Sequence, residues 1–189
     1  LQTPFMSKIN GRWQAIDPYS QREVLSFPRY GKGGVYWFNT VEALTVADTF
    51  PQLKTIITKF GSVPDYYNRM TWLMARLPKS ILKNPKLIES VSQISYRMTQ
   101  ATDPKTGVGI AMRIQIEGEK DGNAASYLAT FDHEDTAFCA GCGAGAIAQL
   151  VLSGQLNKPG VWPVEQALST SLFEETLAQR QLSVTASLR

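Results

Sequence analysis

The residues best suited to chemistry gather in one stretch, Tyr127 to Gly160, which reads as a strand, a short acidic turn and a small-residue run opening a helix. It holds both cysteines, Cys139 and Cys142, and the sole histidine, His133. Gly141, Gly143 and Ala146 satisfy G-x-G-x-x-A, the spacing that lets a pyrophosphate approach a helix N-terminus. Cys139 and Cys142 form a C-x-x-C pair, and a thiol at a helix start can ionise readily and exchange disulfides. His133, within Asp132-His133-Glu134-Asp135, is the natural proton carrier near neutral pH. Arg113, on an alternating strand, is placed to meet a carboxylate. Each has a plainer account: small residues for tight helix–sheet packing, buried thiols, a solvated turn histidine and a solvated strand arginine.

Context weakens the two motif readings. A dinucleotide loop lies in a parallel βαβ unit, with an acidic residue about 20 positions on at the end of the next strand. Here Lys158-Pro159-Gly160-Val161-Trp162-Pro163 follows, and then another helix. A zinc site would need two ligands beyond the cysteines. There is no G-x-S-x-G elbow, Walker loop or H-E-x-x-H. One account joins the glycines to a ligand without a Rossmann unit: the helix start borders a molecule held mostly by another domain.

The elements around this stretch follow from periodicity. Asn10-Gly11 predicts a hairpin turn, because both positions tolerate positive φ. Glu23–Phe27, Val35–Phe38 and Leu53–Phe60 read as strands, and Asn39–Phe50 as a turn or short helix. Met70, Leu73, Met74 and Leu77 mark one helix. Asn84-Pro85 opens a second, whose apolar positions run from Leu87 to Met98. Val108, Ile110, Met112, Ile114 and Ile116 alternate with polar or small residues as a strand should. Arg113 falls on the opposite, polar face. A turn over Gly118–Asn123 returns the chain as Ala125–Phe131. Val164–Gln179 predicts one amphipathic helix and Leu182–Leu188 a last strand. Strands first, hairpins, and no regular βαβ units predict an α+β fold: a mainly antiparallel mixed sheet with helices packed on one face.

Composition narrows the class. With 189 residues, 43% hydrophobic and 19% charged, the chain suits one globular domain spanning 1–189. A net charge of +3, dispersed, makes no basic stripe for nucleic acid. No apolar run reaches membrane-spanning length. Two cysteines so close in sequence make no disulfide framework, which suggests a cytoplasmic setting. A start at Leu1 suggests a fragment or an excised domain.

Ile9-Asn10-Gly11-Arg12-Trp13, Asp17-Pro18-Tyr19-Ser20 and Val24-Leu25-Ser26-Phe27-Pro28 together resemble a pattern of the saccharopine dehydrogenase-like family. It lies just after that family's dinucleotide domain: a hydrophobic–Gly–basic–Trp hairpin, a polar turn, and a strand ending in Phe-Pro. Ala146-Ile147-Ala148, the Leu156–Pro163 step, and Glu165, Phe173 and Leu177 are similar to the family's later helices. The resemblance covers both ends and is thinner between Asn39 and Ala101.

That resemblance implies the C-terminal substrate and dimerisation domain of a Rossmann-type dehydrogenase. NAD or NADP would be held by an N-terminal Rossmann domain outside this chain, the substrate would be amino-acid-like or another carboxylate, and the protein would be a homodimer. It places Thr136, Cys139, Gly141 and Gly143 on the substrate cleft, with Arg113 holding a carboxylate and His133 as an available acid or base. Cys-Ala-Gly-Cys stands where the family has a Thr-Gly type sequence. Two rival expectations are a non-enzymatic binding or oligomerisation domain and a thiol oxidoreductase acting through Cys139 and Cys142.

Overall fold

A computed structural model describes residues 2–188. The chain is mixed α and β, with antiparallel pairing in three small sheets. Its contacts form two compact units: residues up to Ser26 with Lys32–Gly107, and Phe27–Gly31 with the residues from Val108 on. Among the described residues no helix is long and apolar enough to cross a membrane.

The first unit opens with the hairpin β1 (Phe5–Ile9) and β2 (Arg12–Ile16). Its two-residue loop, Asn10-Gly11, takes φ of 51° and 76°, the left-handed pair a tight hairpin requires. β3 (Glu23–Phe27), β4 (Gly31–Trp37) and the short β5 (Lys59–Phe60) form a second sheet, with α1 (Glu42–Thr49) between β4 and β5. Val35, Tyr36 and Trp37 are buried as their β-forming side chains suggest. Tyr19 stacks on Tyr36 with centroids 5.3 Å apart, and Phe5 meets Trp37 at 6.3 Å.

The strand expected over Leu53–Phe60 shrinks to Lys59–Phe60. The preceding residues bond to the first hairpin instead: Ile56 N–H donates to Lys8 O at 2.8 Å, and Ser7 Oγ donates to Ile56 O at 2.6 Å. Hydrophobic residues alone could not distinguish this irregular edge from a ladder strand, because both satisfy backbone groups and bury Ile56.

α2 (Tyr66–Met74), α3 (Lys79–Leu82) and α4 (Pro85–Thr106) complete the unit. α4 begins as Asn84-Pro85 predicts, with the Asn84 side chain accepting from Lys86 N–H at 3.0 Å. No residue of its 22 is buried. On α2, Asn68 is fully buried and every amide group is used. Its Oδ1 accepts from Ser62 N–H at 2.7 Å, while Nδ2 donates to Ser62 O, Gly34 O and Asp65 Oδ1 at 2.8–3.1 Å. A Cβ on Gly34 would lie 2.2 Å from Asp65 Oδ1, so a side chain there would have to displace the Asp65 carboxylate from its place in this cluster.

The second unit is built on a long hairpin, β6 (Ile110–Lys120) and β7 (Asn123–His133), closed by β8 (Thr185–Leu188) on the far edge of β7. The turn is tighter than expected, two residues at Asp121-Gly122, and both strands run correspondingly further. α5 (Thr136–Leu152) follows β7 directly. The single helix expected over Val164–Gln179 is two, α6 (Val164–Ala167) and α7 (Thr170–Gln179). Leu168 turns to extended backbone and Ser169 caps α7, accepting from Leu172 N–H at 3.3 Å. The local capping chemistry of serine overrides an amphipathic period that runs through the break.

The alternation in β6 is present, but its apolar side is the open one. Met112, Ile114 and Ile116 are 51%, 55% and 50% exposed, whereas Ala129 between them is 7% exposed. Arg113 on the other side is half-buried.

Asn68 fixes a testable quantity. Asn68→Ala leaves Ser62 N–H and two carbonyls without partners, so denaturant titration should show a loss of about 2–4 kcal/mol. A loss under about 0.5 kcal/mol would show that the cluster is not structural.

Candidate functional site

The junction of β7 and α5 carries the residues singled out from the sequence. Asp135 caps the helix, its carboxylate accepting from Phe138 N–H at 2.9 Å. Thr136 Oγ1 donates to Val108 O at 2.8 Å, and Cys139 N–H donates to Asp135 O at 3.2 Å. The expected anion site at this helix start is therefore already filled. A carboxylate of the chain itself sits against the positive end of the helix dipole.

The small-residue run lies inside α5 rather than opening it. Gly141 and Gly143 sit in its second and third turns, where backbone N–H groups are spent on the helix. A Cβ on Gly141, Gly143 or Gly145 would meet nothing within 4 Å, so tight packing within this chain does not explain them. The inward stripe is Cys139, Cys142, Ala146 and Leu150, spaced three and four apart, with the last two buried.

That stripe accounts for the thiols. Burial pushes the Cys139 thiol above its ordinary range, with Cys142 and Asp135 adding to the shift. The shift at Cys139 is upward, opposite to the lowering that redox work at a helix start requires, with desolvation its largest cause.

His133 is the last residue of β7. Its Nδ1 lies 3.0 Å from Asp135 N and 3.2 Å from Asp135 O, so the Asp135 backbone engages that nitrogen in either tautomer. Nδ1 is thus committed to the backbone, which leaves Nε2 as the ring nitrogen open to a ligand. The imidazole stacks on Phe138 with centroids 5.1 Å apart. Its position is fixed from behind: Tyr30 Oη donates to His133 O at 3.0 Å, and Gly109 lies where any Cβ would strike both. Arg29 pairs with Glu134 at 2.9 Å.

Register separates the two expected polar groups. Ile110 pairs with His133 and Arg113 with Thr130. Directly paired residues share a face and successive residues alternate, so His133 lies with Met112 and Ile114, and Arg113 on the reverse. They do not converge on one ligand from this sheet. Arg113 Nη2 donates to Gln115 Oε1 at 2.8 Å, and Gln115 Nε2 to Glu117 Oε1 at 2.7 Å, a polar chain along the face.

Neither dinucleotide nor metal chemistry finds a fitting set of residues. β7, the strand entering α5, pairs antiparallel on both sides, so the G-x-G-x-x-A lacks its parallel sheet. Among the described residues no three of His, Cys, Asp and Glu gather as a metal would need. Oε1 of Glu165 is buried with no hydrogen-bond partner among the described residues.

One polar constellation escaped the sequence. In the first unit, Arg22 and Arg69 share Asp65, at 2.9 and 3.7 Å. The Asn68 amide, then Arg22, holds the Asp65 carboxyl below its ordinary range. Asp65, Asn68 and Arg69, three and four apart, were legible as one helix face; Arg22, 43 residues away from Asp65, was not.

Two outcomes follow for α5. The alkylation rate of Cys139, followed by mass spectrometry, should rise with a midpoint above about pH 8.5, the ordinary thiol value; a midpoint at or below about 7 would restore the redox reading. Gly143→Ala should raise stability by about 0.5–1 kcal/mol, since alanine loses less backbone entropy in an exposed helix. Destabilisation would mean that the open glycine face is occupied.

No family model matches the chain, and no curated protein matches it.

Proposed function

We propose that the chain is the substrate-side C-terminal domain of a saccharopine dehydrogenase-like, NAD(P)-dependent oxidoreductase of the cytoplasm, acting as a homodimer on an amino-acid-like or other carboxylate substrate. The observation that carries this reading is the open face of α5. Gly141 and Gly145, four apart and so on one side of α5, weaken the helix by about 0.5–1 kcal/mol each relative to alanine, and nothing in the chain fills the space beside them. A second body approaching that face gives the glycines a purpose. The resemblance of the Ile9–Pro28 region and of the Leu156–Pro163 step says which body: the cofactor-binding domain.

In this reading the nicotinamide supplies the hydride chemistry. This chain contributes one wall of the cleft through Gly141, and Cys139 supports that wall from the inward stripe, while Thr136 and Gly143 fall on the opposite side of α5 from Gly141. His133 offers Nε2, its Nδ1 being engaged by the Asp135 backbone. Arg113, on the reverse of the sheet, is left out of the same cleft.

A second reading is favoured by the exposed apolar face of β6: a non-enzymatic binding or oligomerisation domain. Exposed apolar side chains gathered on one strand face, here Met112, Ile114 and Ile116, suit an interaction surface.

NADPH titration of the chain, with and without its natural upstream segment, tests the choice. The dehydrogenase reading expects tight binding only with the segment. Tight binding by the chain alone overturns the two-domain reading. A dimer by light scattering that NADPH stabilises in neither form favours the second.

A further inference from the structure

The first unit holds an open cleft of about 440 Å³ lined by Arg22, Tyr36, Arg69, Trp72 and Leu73, a volume within the range of small-molecule sites. Its chemistry is uneven in a particular way. Two guanidiniums line it, and among the described residues both pair with one carboxylate, Asp65, 2.9 Å from Arg22 and 3.7 Å from Arg69. Oδ1 of Asp65 is already taken by the Asn68 amide at 3.1 Å. A guanidinium carries five N–H donors, so one shared carboxylate cannot satisfy two of them. Arg76 adds a third positive charge, stacked 3.9 Å from the centroid of Trp72. Trp72 and Leu73, three and four residues on from Arg69 along α2, are exposed beside it, an apolar surface next to the cationic groups.

The cationic side is built rather than incidental. Arg22 is held through Asp65, Asp65 through the fully buried Asn68, and Gly34 has no Cβ precisely where the pair presses on the backbone. A fixed guanidinium loses little freedom on binding, and its planar fork matches a carboxylate bidentately.

We propose that this cleft binds small organic acids in which a carboxylate is joined to a flat apolar body. The carboxylate takes the spare N–H donors of Arg22 and Arg69, and the body lies against Trp72 and Leu73. The inference lies wholly in the first unit, needs no cofactor and does not rest on the dehydrogenase reading.

Calorimetric titration of the full chain at low ionic strength tests it with four probes: benzoate, acetate, benzamide and inorganic phosphate. Benzoate should bind about tenfold more tightly than acetate, which lacks the body, or benzamide, which lacks the charge. Its binding should weaken as salt screens the exposed guanidiniums. Arg69→Gln, at a side chain 78% exposed, should weaken benzoate about tenfold with an unchanged thermal midpoint. Trp72→Ala should abolish the preference of benzoate over acetate. The proposal is overturned if benzoate shows no binding at millimolar concentration. It is equally overturned if both variants bind like the parent chain, or if phosphate binds as tightly as benzoate, which would mark a general cationic patch.

Discussion

Pairing of Ile110 with His133 sets the geometry of the whole second unit. An antiparallel ladder has a side-chain period of two, so one fixed pair assigns every residue of both strands to a face. From it follow the apolar face of Met112, Ile114 and Ile116, the polar chain of Arg113, Gln115 and Glu117, and the separation of Arg113 from His133. A one-residue slip would exchange these faces. Gly109, where any Cβ would strike Tyr30 Oη and His133 O, and the two-residue Asp121-Gly122 turn hold the register at opposite ends of the hairpin.

Electrostatics at the start of α5 depend on that same strand end. β7 delivers Asp135 to the cap position, and a capping carboxylate both stabilises the helix and occupies its anion-attracting end. Burial, with Cys142 and that same charge adding to it, pushes the Cys139 thiol above its ordinary range. A stretch rich in reactive residue types is thereby made quiet at its N-terminus. What it leaves available is the open side of the helix at Gly141 and Gly145 and the Nε2 of His133.

The first unit shows the opposite balance. There a fully buried amide with all its hydrogen bonds made, Asn68, orders a partly exposed cluster of charge. Buried polar groups with every partner present rigidify their surroundings, and the rigidity passes outward through Asp65 to Arg22 and Arg69. Surface ion pairs alone contribute little to stability. Their geometry here comes from what lies beneath them.

Local chemistry was enough to place many elements from sequence. Asn10-Gly11 made the first hairpin, Asn84-Pro85 opened α4, and the Ile/Met alternation marked β6, because turns, caps and periodicity act over a few residues. The same information misjudged Leu53–Ile57, which resembles a strand but bonds to a hairpin edge far back in the chain. It also merged α6 with α7 across a serine cap. For the candidate site, the sequence determined which residue types were present: one histidine, two cysteines, a run of glycines and scattered arginines. Tertiary structure alone decided which of them meet. Strand register parted His133 from Arg113, and the capping carboxylate of Asp135 filled the helix start. Packing across 43 residues brought Arg22 to Asp65. Such convergence depends on long-range pairing, and no spacing along the chain encodes the distance between two residues that the fold brings together.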